Sequence, residues 1–293
     1  MIVGTIKIGL GPALALDGSD ANTPKKIPPM NFASGQQALQ VGLDELKAGE
    51  TEASVAALTY AAANGLLIAR WKLGEMYASG NGVPRDDLKA YRYFNQLVED
   101  YDEDQPEQRD LGATSNAFVT VGVYCLYGIP NSDVRPNLRR AHELFEYAAT
   151  RFGDPNAQYN LAHMYMIGAG GLAKDKVAAI RWLALGAKQG HPPSQALLGH
   201  MLFVGDGVPS QRARGLMWLE RAKDGASSTK DQWISQLYHR DFQAAADGDR
   251  RTAAAMYGAP ANRMQPMPLG RSTASFLRPF GIPQVDPLSP AAQ

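Results

Sequence analysis

Five histidines, one cysteine and several glycine-rich loops are the residues of this 293-residue chain whose types and spacing invite a chemical reading. His163 and His200 stand 37 positions apart, each directly before a methionine, Met164 and Met201. Imidazole titrates near neutrality and binds divalent metals, so a repeated pair could sense protons or hold an ion. Two histidines alone make a poor metal site, and no carboxylate or thiol stands at ligand spacing from either. Cys125 lies in the apolar run Tyr124-Cys125-Leu126-Tyr127, without the base or electropositive surroundings that a thiolate nucleophile needs. It reads as a small buried hydrophobe. Gly168-Ala169-Gly170-Gly171 and Gly205-Asp206-Gly207-Val208 have the composition of phosphate loops. They follow helical patterns rather than strands and lack Gly-Lys-Ser/Thr, so they read as turns. No catalytic residue, metal or cofactor is expected, and no small-molecule substrate.

The elements that must position these residues are written as a repeat. Ala69-Arg70-Trp71-Lys72-Leu73-Gly74-Glu75-Met76-Tyr77 runs on to Gly80, and Ala157-Gln158-Tyr159-Asn160-Leu161-Ala162-His163-Met164-Tyr165 to Gly168. Val121-Gly122 leads to Gly128, and Leu198-Gly199-His200-Met201 to Gly205. The terminal glycines are therefore 48, 40 and 37 positions apart, the last a helical-hairpin length. Leu73, Met76 and Tyr77 form an apolar stripe at helical spacing, and Gly80 supplies the left-handed cap that ends the helix. Gly74, Gly122 and Gly199, with Ala162, allow a neighbouring helix to come close. Second helices follow over 86–98 and 175–188, with Ala90/Tyr93, Ala179/Trp182 and Gly215/Trp218 in matching positions. The tryptophans read as packing between helices rather than as ligand cages. An earlier unit spans 34–48 and 52–63, and 231–246 is expected to cap the stack. A lone hairpin cannot bury its stripe, so such units are stable only when stacked.

The pattern Ala-x-x-x-Leu-Gly-x-Met-Tyr-x-x-Gly-x-Gly-Val, then Asp, Ala and an aromatic, resembles the Sel1-like repeats, relatives of tetratricopeptide repeats. It is strict over 69–94 and 157–225 and looser over 116–150. The expected fold is all-α, a right-handed α/α superhelical solenoid of hairpins over 34–257. Its long concave surface suits protein–protein recognition rather than chemistry.

The spelling of individual units narrows the resemblance. Ala61-Ala62-Ala63-Asn64-Gly65 leads into Ala69-Arg70-Trp71-Lys72-Leu73, and Asp86-Asp87-Leu88-Lys89-Ala90-Tyr91 precedes an acidic insert. Tyr127-Gly128-Ile129-Pro130 and Phe152-Gly153-Asp154-Pro155-Asn156-Ala157-Gln158-Tyr159 follow. Arg181-Trp182-Leu183, Gly215-Leu216-Met217-Trp218-Leu219 and Asp249-Arg250-Arg251 complete the set. Over about residues 36–256 these resemble the periplasmic negative regulators of exopolysaccharide production of alphaproteobacteria. The resemblance implies export, binding to the periplasmic domain of a membrane sensor histidine kinase, and inhibition of that kinase until a periplasmic protease removes the regulator. A cytosolic Sel1-repeat scaffold for a protein complex is the alternative. The first helices should line the partner surface. Their outward positions are expected to be Arg70, Lys72, Glu75, Gln158, Tyr159, Asn160, His163, Gln195 and His200.

Composition and the chain ends agree with a protein-binding role. Lys plus Arg equals Asp plus Glu at 29 each, which argues against a nucleic-acid partner. Residues 2–16 are apolar apart from Thr5 and Lys7 and end in Ala13-Leu14-Ala15. This resembles the back half of a secretory signal, so the location is expected to be periplasmic, with the true start upstream of Met1 or the signal degenerate. It is too short to span a bilayer as a helix. The segment through residue 33, with Pro24, Pro28 and Pro29, reads as an extended leader. The stretch 99–110 (EDYDEDQPEQRD) carries seven carboxylates against one arginine and reads as a solvated loop. The proline-rich tail, 258–293, is expected to be disordered.

Overall fold

The computed structural model describes residues 31–102, 110–227 and 231–258. The signal-like segment and nearly all of its leader, the middle of the acidic insert and the proline-rich tail lie outside the described residues. Among the described residues every regular element is helical. Ten helices pair as hairpins: α1 (Gly35–Ala48) with α2 (Thr51–Ala63), α3 (Leu67–Ser79) with α4 (Asp87–Glu99), and α5 (Leu111–Tyr127) with α6 (Leu138–Tyr147). Then come α7 (Pro155–Ile167) with α8 (Lys176–Lys188) and α9 (Pro192–Val204) with α10 (Arg212–Gly225), followed by two further helices, α11 (Gln232–Gln243) and α12 (Asp247–Gly258). Each hairpin packs on the next, and the last two helices cap the stack separately, α11 against α9 and α10 and α12 against α10.

Local sequence explains where the helices begin and end. Asp86, Asn137 and Asp175 stand just before α4, α6 and α8, and their side chains accept backbone N–H groups of Lys89, Arg140, and Val177 with Ala178. These N-caps satisfy donors that the first helical turn leaves free. At the other end Gly80, Gly168 and Gly205 adopt left-handed backbone angles, and their N–H groups donate to the carbonyls of Met76, Met164 and Met201. One helix ends differently. After Tyr147 the chain makes a wider π-helical turn, Ala148–Phe152, before Gly153 closes it.

The small residue of each first helix is the contact point with its second helix. A Cβ on Gly42 would lie 2.7 Å from Leu58, one on Gly74 2.8 Å from the Phe94 ring, and one on Gly122 2.6 Å from the Phe145 ring. Leu58, Phe94 and Phe145 are essentially inaccessible to solvent. Burying each such side chain contributes about 1.5–3 kcal/mol. In the fourth unit Ala162 takes the place of glycine, and the ring of the second helix gives way to Leu183. Trp182 and Trp218 each pack against two neighbouring clusters, which ties one hairpin to the next as expected of them.

Candidate partner-binding face

Apart from Ser54 and Asp241 of α11, the buried polar side chains of the described residues all lie on first helices or the N-cap of one. They form contacts that run from one hairpin to the next. Arg70, Gln158 and Gln195 hold the same repeat position, four residues before Gly74, Ala162 and Gly199. Arg70 Nε donates to the carbonyl of Ala62 at 3.3 Å, Gln158 Nε2 to that of Gly153 at 3.2 Å, and Gln195 Nε2 to that of Ala187 at 3.0 Å. Each acceptor lies at the C-terminal end of the preceding second helix, where carbonyls have no partner within the helix. The three side chains therefore cap the previous hairpin, at about 1 kcal/mol per bond. Arg70 also pairs with Asp100 after α4, and Gln189 donates to Gln158 Oε1 at 3.0 Å.

The position after the small residue holds Glu75, Val123, His163 and His200. Glu75 is buried, with Lys72 Nζ 3.0 Å from one carboxylate oxygen and no partner for the other. Burial pushes its carboxyl above the usual range, and the bond to Lys72 opposes this in part. His200 turns to α11, where its Nδ1 lies 2.6 Å from Asp241. Arg240 Nε donates to the other oxygen of that carboxylate at 3.2 Å. His163 is half-buried beside Tyr159, with ring centroids 5.6 Å apart, and burial lowers its imidazole below the ordinary histidine value. Tyr159 also meets the His191 ring edge-on at 5.8 Å. Among the described residues no three His, Cys, Asp or Glu side chains gather as metal ligands.

The expected outward face is thus corrected at Glu75, Gln158, Gln195 and His200, all of which are buried. A first helix is flanked by helices of the neighbouring units, as α3 meets α5 and α9 meets both α7 and α11, so polar groups there face neighbours rather than water. Arg70 is half-buried and committed to Ala62 and Asp100. Lys72, Tyr159, Asn160 and His163 remain partly exposed. The pairing of His200 with Asp241 rather than with His163 was invisible in the sequence, because 41 positions separate the partners.

A different row does reach solvent. Directly before the capping glycines stand Tyr127, Ile167 and Val204, which are 49%, 53% and 52% exposed. Large apolar side chains are thus exposed at the same position of three successive units, at the ends of α5, α7 and α9. Burial, helped by the nearby Tyr127 phenol, raises the phenol of Tyr159. Reading the residue before each capping glycine as a column would have found this row.

Comparison with known proteins bears on what this face serves. Sel1 repeats are matched at residues 67–99, 121–151, 155–191 and 192–227. A Sel1 repeat protein from Oxalobacter formigenes has a similar structure, with a TM-score of 0.57 and 20% identity over 76% of this chain and 86% of that one, which supports the solenoid fold. The chain is 36% identical over 215 residues, 73% of its length, to an exopolysaccharide production negative regulator of Rhizobium leguminosarum bv. viciae, covering 78% of that protein. It is 33% identical over 252 residues, 84% of its length, to the protein of the same name from Rhizobium meliloti (strain 1021), covering 91% of it. The chain therefore belongs to the family of the exopolysaccharide production negative regulators, built on Sel1 repeats.

Proposed function

We propose that this protein is a periplasmic negative regulator of exopolysaccharide production, which binds the periplasmic domain of a membrane sensor histidine kinase and holds that kinase inactive. Membership of the regulator family supports the regulatory half of this reading. The observation that carries the binding half is the exposure of Tyr127, Ile167 and Val204 at one repeated position. Large apolar side chains left in water in a repeated register suit an interaction site, and tyrosine anchors are common in such sites. Polar first-helix positions such as Gln158 and His200 tie consecutive units together.

The test is a deletion strain complemented with variants. Loss of the protein should give mucoid colonies that overproduce polysaccharide, and only while the kinase gene is present. Ile167→Asp should fail to complement and should lose binding to the purified periplasmic domain, with its melting curve unchanged. Fractionation with periplasmic markers checks the compartment. Co-fractionation with cytosolic markers, or full complementation by Ile167→Asp, would overturn the proposal in favour of a cytosolic scaffold or another face.

A further inference from the structure

We infer that the exposed face of α8 is a second docking surface, which takes an acidic α-helix of a protein partner. The inference rests on the reading that the chain captures a protein, but it uses other residues than the row of Tyr127, Ile167 and Val204. α8 packs against α7 and α9 through a side that buries Ala179, Leu183 and Gly186. On the opposite side Val177, Arg181, Leu185 and Lys188 are all exposed. At helical spacing they fall within about 80° of one another and form a line about 16 Å long. Val177 and Leu185 are 43% and 45% exposed. The solvent side of a helix is ordinarily polar, so two large apolar side chains in one line mark a surface that something covers.

The chain itself shows what fits there. Counted from the N-caps Asp175 and Gln211, the same line on α10 is Ala213, Met217, Arg221 and Asp224, and α12 lies on it. Tyr257 Oη donates to Asp224 at 2.6 Å, Arg221 stands over the Tyr257 ring, and Met217 is buried in one cluster with Ala253 of α12. A helix thus covers this line on one second helix. In α4 and α6 the line contains a carboxylate, Glu99 or Glu143, and neither repeats the apolar pair. Charge decides which helix suits α8. α8 carries no carboxylate, and α7 and α9 carry no Asp, Glu, Lys or Arg. The three carboxylates of residues 154–206 are committed, since Asp154 and Asp175 cap α7 and α8 and Asp206 is paired with Lys176. In the neighbouring hairpins α6 sets two arginines against two glutamates, and α10 three arginines and a lysine against two acids. Arg181 and Lys188 have no hydrogen-bond or ion-pair partner among the described residues. Where α10 offers Met217 and Asp224 to its covering helix, α8 offers two cations, so the helix that fits brings carboxylates beside its apolar side chains.

Fluorescence anisotropy of the full chain tests this. The labelled probe is a stapled helix of three Ala-Leu-Glu-Ala repeats, and its counterpart has lysine in place of glutamate. The acidic helix should bind saturably and more tightly than the basic one. Arg181→Glu/Lys188→Glu, at exposed positions, should weaken it at least about tenfold. Leu185→Ser, which leaves the charge alone, should weaken it as well. Arg92→Glu, on the same line of α4, and Ile167→Asp should both bind it as the parent does. No saturable binding, equal binding of the basic helix, or unchanged affinity in both α8 variants overturns the inference. So does an equal loss in Arg92→Glu, which would reduce the effect to overall charge. Sedimentation with phosphatidylglycerol vesicles, in place of binding to the acidic helix, would make the face a membrane contact and overturn it too. A chain that binds the acidic helix yet fails to bind the kinase domain leaves the α8 surface standing and sinks the proposed function instead.

Discussion

The imidazole of His200 and the carboxylate of Asp241 lie 2.6 Å apart, buried between α9 and α11, although 41 positions separate them in the chain. This pair fastens α11 to the last hairpin of the array. His200→Leu removes one partner and leaves Asp241 buried with only Arg240 to neutralise it. Stripping a buried pair of one member costs about 3 kcal/mol or more. The urea midpoint should fall accordingly, and His200→Leu/Asp241→Leu should recover most of the loss. A double variant no more stable than the worse single one would show that the pair is not the fastening.

Stability should also depend on acid through His191. Its Nδ1 lies 2.8 Å from Ser194 Oγ, and burial holds the imidazole near 4, against an ordinary 6.5. Between those limits the unfolded chain takes up a proton that the folded chain refuses. The contribution of His191 is therefore fully present above about pH 6.5 and lost as pH falls toward 4, reaching on the order of 3 kcal/mol. Unfolding curves at pH 7, 5.5 and 4.5 should show a steeper decline for the parent than for His191→Asn. Parallel declines would assign the acid sensitivity to other groups.

Glu75 carries the opposite sign. Its carboxyl titrates above the ordinary range, so the folded state favours the protonated form and ionisation at neutral pH costs stability. Glu75→Gln should melt above the parent at pH 7 and converge with it as pH falls through the carboxyl range. A lower melting temperature at pH 7 would mean that the Lys72 pair outweighs desolvation.

Two glycines on α9 and α10 face each other. A Cβ on Gly199 would stand 2.8 Å from the Gly215 carbonyl oxygen, and one on Gly215 would stand 2.6 Å from the Gly199 carbonyl oxygen. Because backbone cannot swing aside as a side chain can, either alanine substitution should destabilise by about 1–3 kcal/mol or more. Gly248 in α12 has open space around it, and alanine there should be neutral or stabilising by up to about 1 kcal/mol. Chemical denaturation of the three variants separates the contact from a general glycine effect.

Substitutions on the first helices should divide into two kinds. Arg70→Ala breaks the bond to Ala62 that joins consecutive units and the pairing with Asp100 within its own hairpin, so it should lower the melting temperature as well as any regulatory output. Ile167→Asp alters a side chain that is half exposed and should stay within about 0.5 kcal/mol of the parent while abolishing partner binding. Thermal melts run beside the binding assay make the distinction. If Arg70→Ala melts as the parent does, its side chain is free for a partner after all.

The hairpins and their ends were legible from residue type alone. Gly80, Gly168 and Gly205 end their helices because left-handed backbone suits glycine, and Asp86 and Asp175 begin theirs because a carboxylate accepts first-turn N–H groups. Such rules act over a few residues, so the chain states them locally. Which side of a first helix meets water is decided between units. His163 and His200 share one repeat position, yet one lies half-buried beside Tyr159 and the other against Asp241. Phe118 takes the place of a capping donor, and its four-ring cluster with Tyr101, Tyr147 and Phe152 depends on a π-helical turn; Gly153 marks where that turn ends but not that it is wider than an α-helical one. Periodicity in sequence gives equivalent residues the same address, and only the neighbouring hairpin determines what each one touches.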